Sequence, residues 1–222
     1  MNRFLVIGGV VAAAGLGALW WATGQGPAPG LDLPSAANAQ DADVDLSLAP
    51  DMSLGNPDAP VTVIEYASYT CPHCASFHQG SFKQLKSDYI DTGRINFVYR
   101  EVYFDKFGLW AGMLARCGGD TDRYFAITEV LYEKQREWTR ADNEAGIAAN
   151  LVQLGKTVGF SEDQLNSCLQ DGQRAQAMVA AYQQNATADG VRSTPSFVIN
   201  GELFTNMPYA DFEKALADAG VE

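Results

Sequence analysis

Cys71-Pro72-His73-Cys74 follows the apolar run Val61-Thr62-Val63-Ile64-Glu65-Tyr66 and opens residues 75–90, a stretch with helical character. A strand that runs straight into a helix beginning at two cysteines leaves little freedom for the local fold. It sets two thiols one turn apart at a helix N-terminus. Unpaired backbone N–H groups and a partial positive charge gather there, favouring the thiolate of Cys71 over its thiol. Pro72 suits the first helical position, where no N–H is needed. Such a pair is a dithiol redox site; a purely structural tight disulfide is the plainer alternative.

With 222 residues and 47 % hydrophobic content, the chain can bury the core of one domain, or of one domain with a large insertion. The formal net charge of −12 argues against a nucleic-acid surface, which needs clustered Lys and Arg.

Residues 4–22 form an uncharged apolar run preceded by Arg3 and ending in Trp20-Trp21, as in a secretory signal or a short membrane span. Residues 1–24 are therefore expected to be a signal peptide or membrane anchor; a buried core helix is the alternative. Ala37-Asn38-Ala39 has the small-x-small form of a cleavage site, although it lies unusually far beyond the run. Arg3 before the run and Asp32, Asp41, Asp43 and Asp45 after it put the N-terminus in the cytoplasm and send the rest of the chain outward. Four cysteines in an oxidising compartment suggest two pairs, Cys71 with Cys74 and Cys117 with Cys168.

Residues 25–56 read as a flexible linker, since Gln25 to Pro50 is rich in Pro, Gly, Ala and Asp without periodicity. Strand character appears over 61–67 and again at Ile95-Asn96-Phe97-Val98-Tyr99, after an Asp91-Thr92-Gly93 turn. Two strands joined through a helix predict a parallel pair with a right-handed crossover. Residues 105–189 lack β-type runs and carry apolar residues at helical spacing, such as Leu109, Met113 and Cys117 or Ile147, Leu151, Leu154 and Val158. Ser161 with Gln164 three residues on predicts a capping box. Strand character returns at Ser196-Phe197-Val198-Ile199, Asn200-Gly201 predicts a tight hairpin turn to Glu202-Leu203-Phe204, and residues 209–219 close as an amphipathic helix. The pattern is α/β with a large all-helical block.

The strand bearing Glu65, the Cys71-Pro72-His73-Cys74 motif, the helical block and Gly190-Val191-Arg192-Ser193-Thr194-Pro195-Ser196-Phe197 together resemble the thioredoxin superfamily, and within it the DsbA family of periplasmic thiol oxidases. The resemblance covers 61–222. It implies a thioredoxin-like fold over 57–104 and 190–222, with 105–189 as a helical insertion domain. It further implies a periplasmic location, exported across or anchored to the inner membrane, and no cofactor or metal beyond the redox-active disulfide Cys71-Cys74. Reduced or unfolded exported proteins would be the substrates and a quinone-linked membrane oxidase the reoxidising partner. The lack of a dimerisation domain points to a monomer.

By the same resemblance, Cys71 is the exposed nucleophile and Cys74 its more buried partner. Pro72 and His73 tune the pair, His73 adding positive charge or N–H donors near the Cys71 sulfur; an ordinary solvent-exposed turn histidine is the plainer alternative for His73. Glu65 matches an acidic residue beneath the dithiol that helps move protons; a carboxylate facing outward from an edge strand is its structural alternative. Thr194 and Pro195 match a cis-proline loop that offers backbone groups to an extended substrate. Thr194 departs from the valine of many oxidases toward the isomerase and reductase branch. Tyr99 and Arg100 stand where a lysine is often found, so neither is assigned as a partner of Glu65. Bridging Cys117 and Cys168 would be structural, with a second redox relay as the sharper alternative.

Cys71, His73, Cys74 and His78 gather both histidines and half the cysteines of the chain, which raises a different class, a copper- or zinc-binding protein. Pro72 at the helix start and Phe77 beside His78 fit packing better. A membrane-anchored reductase serving cytochrome maturation shares the dithiol but not the long helical insertion.

Overall fold

The computed structural model describes residues 44–221. The apolar run over 4–22 and Ala37-Asn38-Ala39 lie outside the described residues. Among the described residues, no helix is long and apolar enough to cross a membrane.

The strands are β1 (Met52–Gly55), β2 (Thr62–Ala67), β3 (Asn96–Glu101), β4 (Ser196–Ile199) and β5 (Glu202–Thr205). They form one sheet in the order β1-β3-β2-β4-β5. β2 is the central strand, parallel to β3 with Val63 beside Phe97 and Glu65 beside Tyr99, and antiparallel to β4 with Glu65 beside Phe197. Its near-continuous apolar sequence is what a strand covered on both faces requires. Val63, Tyr66 and Ala67 are all fully buried.

The helices are α1 (Pro72–Gln79), α2 (Ser81–Leu85), α3 (Lys106–Arg116), α4 (Thr121–Glu133), α5 (Gln135–Trp138), α6 (Glu144–Thr157), α7 (Glu162–Leu169), α8 (Gly172–Ala188) and α9 (Tyr209–Asp218). Helices α3 to α8 all fall between β3 and β4, so the helical block is an insertion into the sheet's connectivity. All of its helices but the short α5 start on side-chain caps, from Asp105, Asp120, Asn143, Ser161 and Asp171. Ser161 and Gln164 form the expected reciprocal capping box. Cys117, just past α3, and Cys168 in α7 are joined by a disulfide with 5.8 Å between their Cα atoms.

Two local expectations change. The stretch 25–56 is not linker throughout: residues 46–48 make a short 3-10 helix capped by Asp45, and β1 is an edge strand, with Met52 beside Tyr99 and Leu54 beside Phe97. Four residues with two apolar positions carry too weak an alternation to be seen locally, and β1 exists because β3 offers it an open edge. The stretch 75–90 is not one helix either. Gly80 ends α1, α2 is a short continuation, and residues 86–90 wind as a π-helical turn. The turn between β4 and β5 is as expected, with Asn200 at φ 46° and Gly201 at φ 93°, the left-handed pair that a two-residue hairpin needs.

Candidate active site

Cys71 is the N-cap of α1 and Pro72 takes the first helical position, so the first thiol stands where the helix has free N–H donors. The backbone N–H of Cys71 donates to the Ser68 carbonyl at 3.1 Å. Gln135 of α5 reaches across from the helical block, its side-chain amide donating to the carbonyls of Tyr69 at 2.7 Å and Cys71 at 2.9 Å. Thr70 donates its hydroxyl to Asp105 at 2.6 Å, and Asp105 also caps α3. The loop that presents Cys71 is thus held from both sides by the insertion.

The two cysteines carry free thiols and differ sharply in setting: Cys71 is half-buried, whereas Cys74 is wholly buried. A hydrogen bond from Cys74 is the main influence bringing the Cys71 thiol down to about 5; burial opposes it, and the Thr194 side chain and the backbone N–H groups of Cys74 and His73 assist. Burial, with the neighbouring Cys71, pushes Cys74 far the other way. These opposite shifts favour a single negative charge, on the outer sulfur, at neutral pH.

Thr194 and Pro195 sit opposite. The Cys71 Sγ lies 3.4 Å from the Thr194 carbonyl oxygen, the Thr194–Pro195 bond is cis, and β4 then runs antiparallel to β2. His73 is exposed, and the group it brings to the Cys71 sulfur is its backbone N–H.

Glu65 does not face outward from an edge; it is fully buried on the central strand. Its partner is His78, whose Nε2 lies 3.1 Å from Oε1 and 3.0 Å from Oε2. His78 follows Cys74 by four residues on α1, one turn along the same face. That spacing was the available signal, but nothing local shows that α1 lays this face over Glu65. Tyr99 instead shares a 2.6 Å hydrogen bond with the Tyr132 hydroxyl, and Arg100 bonds Asp51, Tyr66 and Asp189. The ring nitrogen of His78 is engaged by Glu65 while His73 points to solvent. Among the described residues, no three His, Cys, Asp or Glu side chains are grouped to hold a metal ion.

A dithiol at the start of the helix after a central strand, faced by a Thr-Pro loop before an antiparallel strand and roofed by a helical insertion, defines a thioredoxin-fold dithiol protein. Residues 47–218 match the family model described as Thioredoxin, and the chain belongs to that family, in its DsbA-like branch. It is 36 % identical over 169 residues to a Rickettsia bellii protein provisionally named a protein-disulfide oxidoreductase, a match covering 76 % of this chain and 64 % of that one. The chain thus spans under two thirds of that relative's length. It is 27 % identical over 164 residues to Disulfide bond formation protein D of Bacillus subtilis, covering 72 % of each. The crystal structure of Wolbachia pipientis alpha-DsbA1 superposes with a TM-score of 0.71 at 27 % identity, over 77 % of this chain and 91 % of that one.

Proposed function

We propose that this protein is an exported thiol:disulfide oxidase that passes the Cys71–Cys74 disulfide to reduced or unfolded exported proteins. A substrate thiolate attacks the Cys71 sulfur, the Cys71–Cys74 bond breaks, and Cys74 leaves with the electron pair and takes up a proton. A second substrate thiolate then attacks the substrate sulfur of the mixed disulfide and expels Cys71 as a thiolate. The substrate loses two electrons and the dithiol gains them.

The observation that carries this reading is the asymmetry of the pair. At neutral pH a Cys71 thiol brought to about 5 favours the reduced form by about 2 kcal/mol after allowance for its partial exposure. That is roughly 40 mV toward stronger oxidation. Pro72 and the His73 N–H support the thiolate, Glu65 serves the proton traffic of Cys74, and Thr194 and Pro195 offer backbone to an extended substrate. The functional unit is 57–104 with 190–222, the insertion 105–189 roofing it. The N-terminal apolar run supports export to the periplasm, a monomer fits the single dithiol, and a quinone-linked membrane oxidase would restore the disulfide.

Thr194 favours a second reading, an isomerase or reductase of the same superfamily, because the residue before the proline touches Cys71 and tunes it. Parallel assays decide between them. An oxidase converts a reduced, unfolded protein faster than it rescues a scrambled one, and its dithiol potential lies well above that of thioredoxin. Efficient rescue of scrambled protein with slow oxidation of reduced protein would replace the oxidase reading by the isomerase one.

A further inference from the structure

Cys74 has no exposed surface, yet on the oxidase reading its sulfur gains a proton whenever the Cys71–Cys74 bond opens and loses one whenever it closes. A substrate seated on Cys71 and Thr194 covers the near approach. Glu65, equally buried, is electrostatically coupled to Cys74, and both its oxygens contact Nε2 of His78. The His78 imidazole stacks on Tyr132, with ring centroids 4.2 Å apart and planes at 18°. Together His78 and Tyr132 line a cleft of about 310 Å³ between α1–α2 and α4, and neither Cys71 nor Thr194 belongs to its lining.

We infer that His78 is a proton-relay residue, passing protons between the Glu65 carboxyl and solvent in the cleft between α2 and α4, by a route separate from the Cys71 surface. An imidazole takes a proton on one ring nitrogen and releases it from the other, and this imidazole touches the buried carboxyl while lining an opening to solvent. The two phenols facing it do not compete near neutral pH. Burial holds the Tyr99 and Tyr132 hydroxyls well above the ordinary phenol range. The cleft carries Lys83 from α2 and Lys86 from the π-helical turn, against Asp122, Glu129 and Glu133 from α4, a mixed rim that attracts neither sign of ion strongly. The inference rests on the dithiol reading above and names the route that reading needs.

The test separates the two steps by which the reduced full chain reacts with oxidised glutathione. In the first, the Cys71 thiolate takes a glutathionyl group and releases glutathione thiolate. In the second, Cys74 gives up its proton, attacks the Cys71 sulfur and expels a second glutathione thiolate. His78→Gln keeps a donor toward Glu65 but cannot pass a proton through. It is expected to slow the second step by about tenfold or more, so that the Cys71–glutathione adduct accumulates. His78→Ala opens room beside the cleft, and free imidazole is expected to restore the second step.

A second step that is unchanged in His78→Gln, or slowed in both variants without response to pH or imidazole, overturns the relay. The unaltered chain gives an independent arm that does not depend on either variant folding. The pH profile of its second step must follow the His78 titration seen by NMR, and profiles that do not coincide overturn the relay too. A chain that closes its disulfide in this way but fails to oxidise reduced peptides defeats the oxidase reading alone.

Discussion

Glu101 accepts hydrogen bonds from both Nε and Nη2 of Arg116, at 2.8 and 2.7 Å, and this buried pair ties the last residue of β3 to the last turn of α3. Tyr124 of α4 donates its hydroxyl to the same carboxylate at 2.8 Å, and Arg116 also donates to the Pro50 carbonyl at 3.0 Å. Burial is the largest single influence and works against the guanidinium charge, but Glu101 together with Tyr124 and Tyr103 outweighs it and holds Arg116 above its ordinary range. One ion pair thus fastens sheet, insertion and the segment leading into β1.

Arg116→Met should accordingly cost about 3–5 kcal/mol, because it strands a buried carboxylate. Adding Glu101→Gln should recover much of the loss. Urea denaturation of the two variants measures both numbers, and a single-variant loss below about 1 kcal/mol would show that the pair is dispensable.

Cys71 should titrate with an apparent pKa near 5, followed by thiolate absorbance of the reduced protein, while Cys74 gives no second transition up to about pH 10. An apparent value near 8.5, the ordinary thiol range, would remove the basis of the oxidase reading.

Stability of the reduced protein should depend on pH in a defined direction. The folded Cys71 value of about 5 lies below the unfolded thiol's value of about 8.5, so its contribution is fully present above about 8.5 and shrinks as pH falls. Near pH 5 it is gone. Cys71 adds nothing further above about pH 8.5, and Cys74, raised by burial, then acts oppositely because it ionises only in the unfolded chain, so stability passes through a maximum near there and falls beyond it. Paired denaturation curves of reduced and oxidised protein from pH 4 to 9 test this, and a gap that does not widen between pH 5 and 8 contradicts it.

Replacing both Cys117 and Cys168 by Ala should lower stability by about 4 kcal/mol, since the bridge spans 51 residues and closes a long loop in the unfolded chain. For a domain of this size that is a fall in Tm of roughly 10 °C. The thiolate titration of Cys71 should not change. Loss of disulfide donation in a folded double variant would instead make the bridge a redox relay.

The elements that could be read locally are those set by short-range physics. The dithiol was visible because a strand, two cysteines and a proline sit within a dozen residues, and thiolate stabilisation at a helix start depends only on the first turn. The Ser161 capping box and the Asn200-Gly201 hairpin turn follow equally from local hydrogen bonding and allowed φ values. Glu65 stood out as a carboxylate within an apolar strand, since burying such a group demands a partner.

Which partner it finds was decided by tertiary structure. His78 meets Glu65 because α1 lies across β2 with the Cys74 face down, and Gln135 reaches the Cys71 carbonyl because α5 returns over the active-site loop from 64 residues away. β1 forms from four weakly patterned residues because β3 presents an unpaired edge. By itself the sequence determined where the thiols stand and which of them is favoured as the thiolate, because propensity, capping and the helix start act over a few residues. The hydrogen-bond partner of Glu65, the clamp on the Cys71 loop and strand β1 belong to the packing of distant elements, where burial and unsatisfied hydrogen-bonding groups select among contacts that no local pattern distinguishes.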